Sequence, residues 1–261
     1  MDRKPRIALL IDADNAPADK IALILGELAE LGDASIRRAY GNWAKPGLKS
    51  WAAVLHENAI RPMQQYDYSS GKNASDMAMV IDAMALLYAD RPDAFAIVSS
   101  DADFTPLVMH LREKGAAVYG FGEEKTPEPF KSACSRFLVL DRLRAGDQDD
   151  DQEDSARPDQ PSRSRLRVPT GQLKQDAKLV TLLRRAVHSE ADDSGWARVS
   201  NVGNHIANQS SFDPRNYGYA KLIKLIEATE LFDVRDEGRP TLAVRDRRRG
   251  NGRGSSGEKG Q

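Results

Sequence analysis

Cysteine is almost missing from this 261-residue chain: Cys134 stands alone. A single thiol excludes an internal disulfide and any zinc site built from several thiolates. Histidine is scarce too, with four residues and none near the acidic motifs described below. No long apolar run exists either. Met1-Asp2-Arg3-Lys4-Pro5 leads into a short one that stops at Asp12, too short and wrongly flanked for a signal peptide or a membrane span. A reducing, cytoplasmic setting is expected.

Net charge is also nearly absent, at a formal -1, while charged residues make up 30% of the chain and hydrophobic ones 40%. That is an ordinary globular composition with room for polar linkers or tails. The balance conceals an asymmetry: residues 1–146 carry -2, residues 147–162 carry -6 and residues 163–261 carry +7. The basic C-terminal third attracts polyanions, nucleic acid foremost; a solvated basic face without a partner is the bland alternative. Length and this partition favour two domains.

Residues 6–11 read as a strand, and after Pro17 the positions Ile21, Ile24, Leu25, Leu28 and Leu31 recur at helical spacing until Gly32. Strands at 34–39 and 60–64 bracket a helix at 48–56. A polar stretch at 66–73 precedes a helix at 74–88, with Met77, Val80, Ile81 and Met84 as its buried face. Residues 95–98 form an apolar run without alternation, as in a strand covered on both faces. A helix at 105–114, a strand at 116–121 and an edge strand at 136–140 follow. Strands alternating with helices predict an α/β fold with a mostly parallel sheet and helices on both faces.

Acidic residues gather where such a sheet places its sites, at the carboxyl ends of strands. Asp12 and Asp14 end the first strand, and Asp101 and Asp103 follow the strand at 95–98. Asp76 lies in the first turn of its helix, where the dipole favours its ionised form. Any one of these is an ordinary cap or turn residue; jointly they make a cage. Crowded carboxylates repel unless a cation neutralises them, and an all-oxygen set suits Mg2+ or Mn2+. Asp82, inside the helix, is left to solvent or a nearby base. An Asp12-Ala13-Asp14 phosphatase nucleophile would want Thr or Val where Ala16 stands.

These stretches carry a family resemblance. Residues 7–15, with Lys72-Asn73-Ala74-Ser75-Asp76 and Ser99-Ser100-Asp101-Ala102-Asp103-Phe104, resemble the NYN branch of the PIN-like nucleases. The resemblance implies a Rossmann-like fold over residues 1–146, cleavage of RNA, and metal ligation by Asp12, Asp76, Asp101 and Asp103. It also gives Asn15 an orienting role and Asp14 a secondary one. A protein that binds RNA without cutting it, an adaptor or regulator, is the alternative.

Beyond residue 146 the composition turns Asp-rich, then Pro-, Ser- and Arg-rich. Residues 147–172 are expected to be a flexible linker. Helices at 173–188, 202–209 and 217–229, then short strands at 231–234 and 242–244 around Asp236-Glu237-Gly238, make a small winged-helix α+β pattern over 173–246. An Arg- and Gly-rich tail, 247–261, is expected to be disordered. Ser194-Gly195-Trp196-Ala197 and the run 212–222 resemble the OST-HTH, or LOTUS, domain. That resemblance implies binding of structured RNA or, in some members, of an RNA helicase. Lys72, Arg198, Arg215, Tyr219, Lys221 and Lys224 are the candidate RNA contacts. Trp196, Phe212 and Tyr217 are read as core or loop anchors before base-stacking platforms, and His205 as a surface or packing residue rather than a metal ligand.

Overall fold

The computed structural model describes residues 3–66, 73–143, 167–236, 238–239 and 241–250. Lys72, residues 147–166 of the expected linker and the tail beyond 250 lie outside the described residues. The chain divides into two compact units, Met1–Ala145 and Gly146–Gln261.

The N-terminal unit runs β1 (Arg6–Asp12), α1 (Ile21–Leu31), β2 (Asp33–Gly41), α2 (Trp51–Glu57), β3 (Arg61–Gln64), α3 (Ala74–Ala89), β4 (Ala94–Val98), α4 (Thr105–Glu113), β5 (Ala117–Gly122), α5 (Glu128–Ala133) and β6 (Arg136–Val139). Its six strands form one sheet in the order β3-β2-β1-β4-β5-β6, with every pairing parallel. Parallel neighbours need crossovers, so helices separate the strands. Side chains of β1 alternate between two cores. Ile7, Leu9 and Ile11 pack with Ile24, Leu28 and Trp51 on one face. Ala8 and Leu10 pack with Met79, Ala83, Val108 and Leu111 on the other. Burial on both faces is why the central strands show no polar alternation.

The buried face of α3 differs from the sequence expectation. Met77 and Ile81 are 59% and 65% exposed, while Met79, Ala83, Leu86 and Leu87 face the sheet and Val80 and Met84 flank them. Apolar residues occur all round this helix, so periodicity alone selects no face. A polar anchor helps set the rotation: the Asp82 carboxylate accepts from the Arg38 guanidinium and the Tyr40 hydroxyl, both on β2. Helix α5 was not anticipated; its Phe130 is buried edge-on to Phe137 of β6.

The C-terminal unit contains α6 (Thr170–Gln175), α7 (Ala177–Ser189), β7 (Ala197–Arg198), α8 (Val199–Gln209), α9 (Leu222–Thr229), β8 (Phe232–Arg235), β9 (Ala243–Asp246) and α10 (Arg247–Gly250). Its antiparallel sheet has the order β7-β9-β8. The core joins Leu173, Leu183, Val202, Ile206, Leu225, Phe232 and Val244. The single helix expected at 173–188 is two, because Asp176 turns out of helical geometry and caps α7, accepting from Leu179 N at 3.0 Å. Ordered contacts start inside the stretch read as linker: Val168 N donates to Tyr217 O at 3.0 Å. The helix expected from 217 starts at Leu222, because Gly218, at φ +82°, ends a preceding turn in the left-handed region. Strand β7 adds a third member to the expected hairpin.

Candidate functional site

Strand order reverses between β1 and β4, and in a doubly wound sheet the crevice at that switch point is the natural place for a site. Asp12 is the last residue of β1 and Ser99 the first after β4, so topology alone makes them neighbours. Asp12 is 1% exposed. Its Oδ2 accepts from Asn15 Nδ2 at 2.9 Å and from Ser99 Oγ at 2.8 Å. Its Oδ1 is buried with no hydrogen-bond partner among the described residues. Burial pushes the Asp12 pKa above the ordinary value; the Asn15 and Ser99 donors oppose the rise and nearby Asp14 adds to it.

Ser99 links the two strand ends. While its hydroxyl donates to Asp12, it accepts from Asp101 N at 3.1 Å. Asp101 Oδ1 in turn accepts from Asp103 N at 2.9 Å, capping the turn that leads into α4. The start of α3 is tied to the same rim: Ser75 Oγ donates to Asp14 Oδ2 at 3.0 Å, and Asn73 Nδ2 donates to Asp103 Oδ2 at 3.3 Å. Gly122, at the end of β5, passes so close that a Cβ there would lie 2.7 Å from Ser99 O and 2.6 Å from Thr126 Oγ1. Ser99, Ser75 and Asn73 stand within the quoted motifs, yet their roles escaped the sequence reading, because each bond spans at least 30 residues.

Asp76 is half-buried, and its pKa is raised to about 6, first by desolvation and then by Asp12, Asp101, Asp14 and Asp103 in that order. The acidic residues predicted at the rim are thus close enough to raise its charging cost. Among the described residues no three His, Cys, Asp or Glu side chains stand close enough to hold an ion as they are. The donor chemistry nevertheless fits a hard divalent cation: oxygen ligands only, a carboxylate oxygen without a partner, and mutual repulsion that a cation would relieve. Asp14 is engaged on both sides, by Ser75 and by Lys45 Nζ at 3.7 Å. A pocket of about 460 Å3 opens beside it, walled by Pro17, Leu48 and Trp51 with Lys45 and Ser50.

The candidate RNA contacts of the C-terminal unit do not share one environment. Arg215 lies against the buried Asp213 carboxylate at 3.1 Å. Tyr219 is buried, its hydroxyl donating to Val168 O at 3.1 Å with the Arg167 guanidinium over its ring. Lys224 pairs with Glu227 at 3.2 Å. Lys221 and Arg198 are exposed. His205 faces Glu190 through Nδ1 at 3.0 Å. Trp196, read as an anchor, is half-buried beneath Arg235 and Arg245, whose guanidinium carbons lie 4.4 and 4.7 Å from its ring centre.

Comparison with known proteins bears on both units. Over 124 residues the chain is 33% identical to an uncharacterized protein of Methanocaldococcus jannaschii, a match covering 46% of this chain and 48% of that protein. The chain thus spans about half the length of that curated relative. A crystal structure of a protein of unknown function from Vibrio parahaemolyticus is similar at 18% identity and a TM-score of 0.44, covering 53% of this chain and 94% of that one. A solution structure of an uncharacterized Nitrosomonas europaea protein matches at 27% identity and a TM-score of 0.26, over 38% of this chain and 90% of that one. Neither structural likeness is close enough to bear on function. No helix among the described residues is long and apolar enough to cross a membrane. The NYN domain family matches residues 6–141 and the OST-HTH/LOTUS domain family residues 173–244, so this chain belongs to the NYN-domain family, with its nuclease-like fold, and carries an OST-HTH/LOTUS domain after it.

Proposed function

We propose that the chain is a cytoplasmic ribonuclease that hydrolyses RNA phosphodiester bonds with Mg2+ or Mn2+, and that its C-terminal unit recruits the RNA. The observation that carries the catalytic part is the rim itself. A buried carboxylate oxygen, Asp12 Oδ1, has no partner among the described residues, and Asp76 is held near pKa 6 by burial and four neighbouring carboxylates. Leaving such groups unsatisfied costs stability, and such costs concentrate at functional sites. Asp12, Asp76, Asp101 and Asp103 would hold the cation. When bound, it supplies charge neutralisation for the scissile phosphate and a more acidic water.

The protein's own groups do the positioning. Asn15 and Ser99 hold Asp12 Oδ2, which leaves Oδ1 as the oxygen available for ligation. Ser99 also fixes the backbone of Asp101, so one hydroxyl sets the spacing of two carboxylates. Ser75 and Asn73 tether the first turn of α3, which carries Asp76, to the rim. The C-terminal unit, covalently linked, would raise the local concentration of RNA at that rim.

The test is cleavage of labelled RNA by the purified chain with Mn2+ or Mg2+, then with chelator, beside Asp101→Asn. Metal-dependent cleavage that the variant loses supports the proposal; equal rates for the two proteins reject it. The absence of a ready three-carboxylate cluster among the described residues favours a second reading, an RNA-binding adaptor that also engages a protein such as an RNA helicase. Its signature is tight RNA binding indifferent to chelator, with no cleavage.

A further inference from the structure

The register of the C-terminal sheet sorts its side chains onto two faces. Ala197 pairs with Val244 and Val234 with Val244, and these residues turn into the core with Phe232. Arg198 and Arg235 both pair with Ala243, from opposite sides, and Asp233 pairs with Arg245 one step further along the same face. Trp196, two residues before Arg198, lies under Arg235 and Arg245. The outward face thus presents an indole, three guanidiniums and a small alanine floor between two of them. A pocket of about 450 Å3 opens there, lined by Trp196, Arg198, Arg235 and Ala243 together with the acids Glu190, Asp192 and Asp236. That volume lies within the usual range of small-ligand sites, about 300–1,000 Å3.

The nearby acids are largely spent on holding this arrangement. Asp192 Oδ1 accepts from the Ser194 and Trp196 backbone N–H groups, and its Oδ2 lies 3.9 Å from Arg235. Asp233 takes Arg245 at 3.2 Å and Arg247 at 3.1 Å. Glu190 faces His205. Arg198, exposed at the pocket, has no side-chain hydrogen bond or ion pair among the described residues. Among the arginines lining the pocket, its charge is open to a ligand.

We propose that this face binds one unpaired nucleotide of an RNA strand, the base stacked in the pocket on the Arg235 guanidinium and an adjacent phosphate on Arg198. The Arg235 guanidinium is held 4.4 Å from the centre of an indole ring, which restrains it, and bases stack on guanidinium planes. The concavity admits a base only if it has left a helix, so the ligand is single-stranded. The inference rests on the reading that the C-terminal unit binds RNA, and it assigns that binding to the sheet face rather than to Arg215 and Tyr219.

The experiment uses the full chain in chelator, so that cleavage plays no part. Fluorescein-labelled single-stranded octamers of A and of U, and a blunt duplex, are titrated by anisotropy against wild type, Arg198→Ala, Arg235→Ala and Arg235→Lys, each checked for an unchanged thermal melt. Single strands should bind at least about tenfold tighter than the duplex, and both alanine variants should weaken them about tenfold. Arg198→Ala should reduce the salt slope by about 1. Arg235→Lys, which keeps the charge and loses the plane, should bind as poorly as Arg235→Ala. Wild-type affinity in Arg235→Lys, or in both alanine variants, or equal binding of duplex, overturns the inference. RNA that binds here and is never cut with metal present rejects the nuclease proposal alone.

Discussion

The acidic rim of the N-terminal unit and the outer sheet face of the C-terminal unit treat like charges in opposite ways. At the rim, carboxylates are brought together and left partly uncompensated: Asp12 Oδ1 has no hydrogen-bond partner among the described residues and Asp76 is costly to ionise. On the sheet face, arginines are brought together and calmed, two over an indole and pinned by Asp192 and Asp233, with Arg198 set apart. A rim that needs a counter-ion to settle suits chemistry; a surface that is already settled suits recognition. Under the proposed function, turnover falls to one unit and affinity to the other.

Exchange of an acid at the rim is the severest way to break that comparison. Asp12→Asn should lower RNA cleavage by more than about 100-fold, beyond what loss of a supporting partner costs, with RNA affinity in chelator unchanged when measured by anisotropy. Ser99→Ala should follow with about a 10- to 100-fold loss and a raised metal requirement, seen in a Mn2+ titration; an unaffected rate would mean that Ser99 positions nothing. Asp82→Ala strips Arg38 and Tyr40 of their shared acceptor and should cost about 1–3 kcal/mol in denaturant unfolding, separating the fold of α3 from the chemistry of Asp76.

The smallest effect concerns pH. Because the folded-state pKa of Asp76 lies near 6, above the unfolded value of 3.8, the folded protein binds more protons between those values. Its contribution to stability is therefore fully present below about pH 4 and lost as pH rises through 6. In chelator, Asp76→Asn should raise the melting temperature at pH 7.5 by a few degrees, while Mn2+ should stabilise wild type and not the variant. A melting temperature that Asp76→Asn lowers at that pH would show that the carboxylates do not strain the fold.

Much of this was legible in the sequence, and for identifiable reasons. Short apolar runs ending in Asp12 and in Ser99-Ser100-Asp101 are what strands buried on both faces and leading into polar loops look like, so the sheet and the acidic rim could be anticipated. The rotation of α3 could not, since Met77 and Met79 look alike in a helix that is apolar all round, and a contact between Asp82 and residues about 42 positions away helps set it. Trp196 was readable as a core or loop anchor, but not as the centre of an arginine pair. Its partners Arg235 and Arg245 come from β8 and β9, and it is brought to them by the pairing of the two-residue β7 with β9, a strand too short to leave a periodic signal.

The tight passage of Gly122 past Ser99 gives this enzyme-like rim a silent point of control. Any heavier residue in that place would press on the carbonyl of Ser99 and shift the hydroxyl that spaces Asp12 from Asp101, without altering one acidic side chain. Under the proposed function, copies that keep every carboxylate yet have lost glycine here should cleave poorly, so an inventory of acids alone would misjudge them.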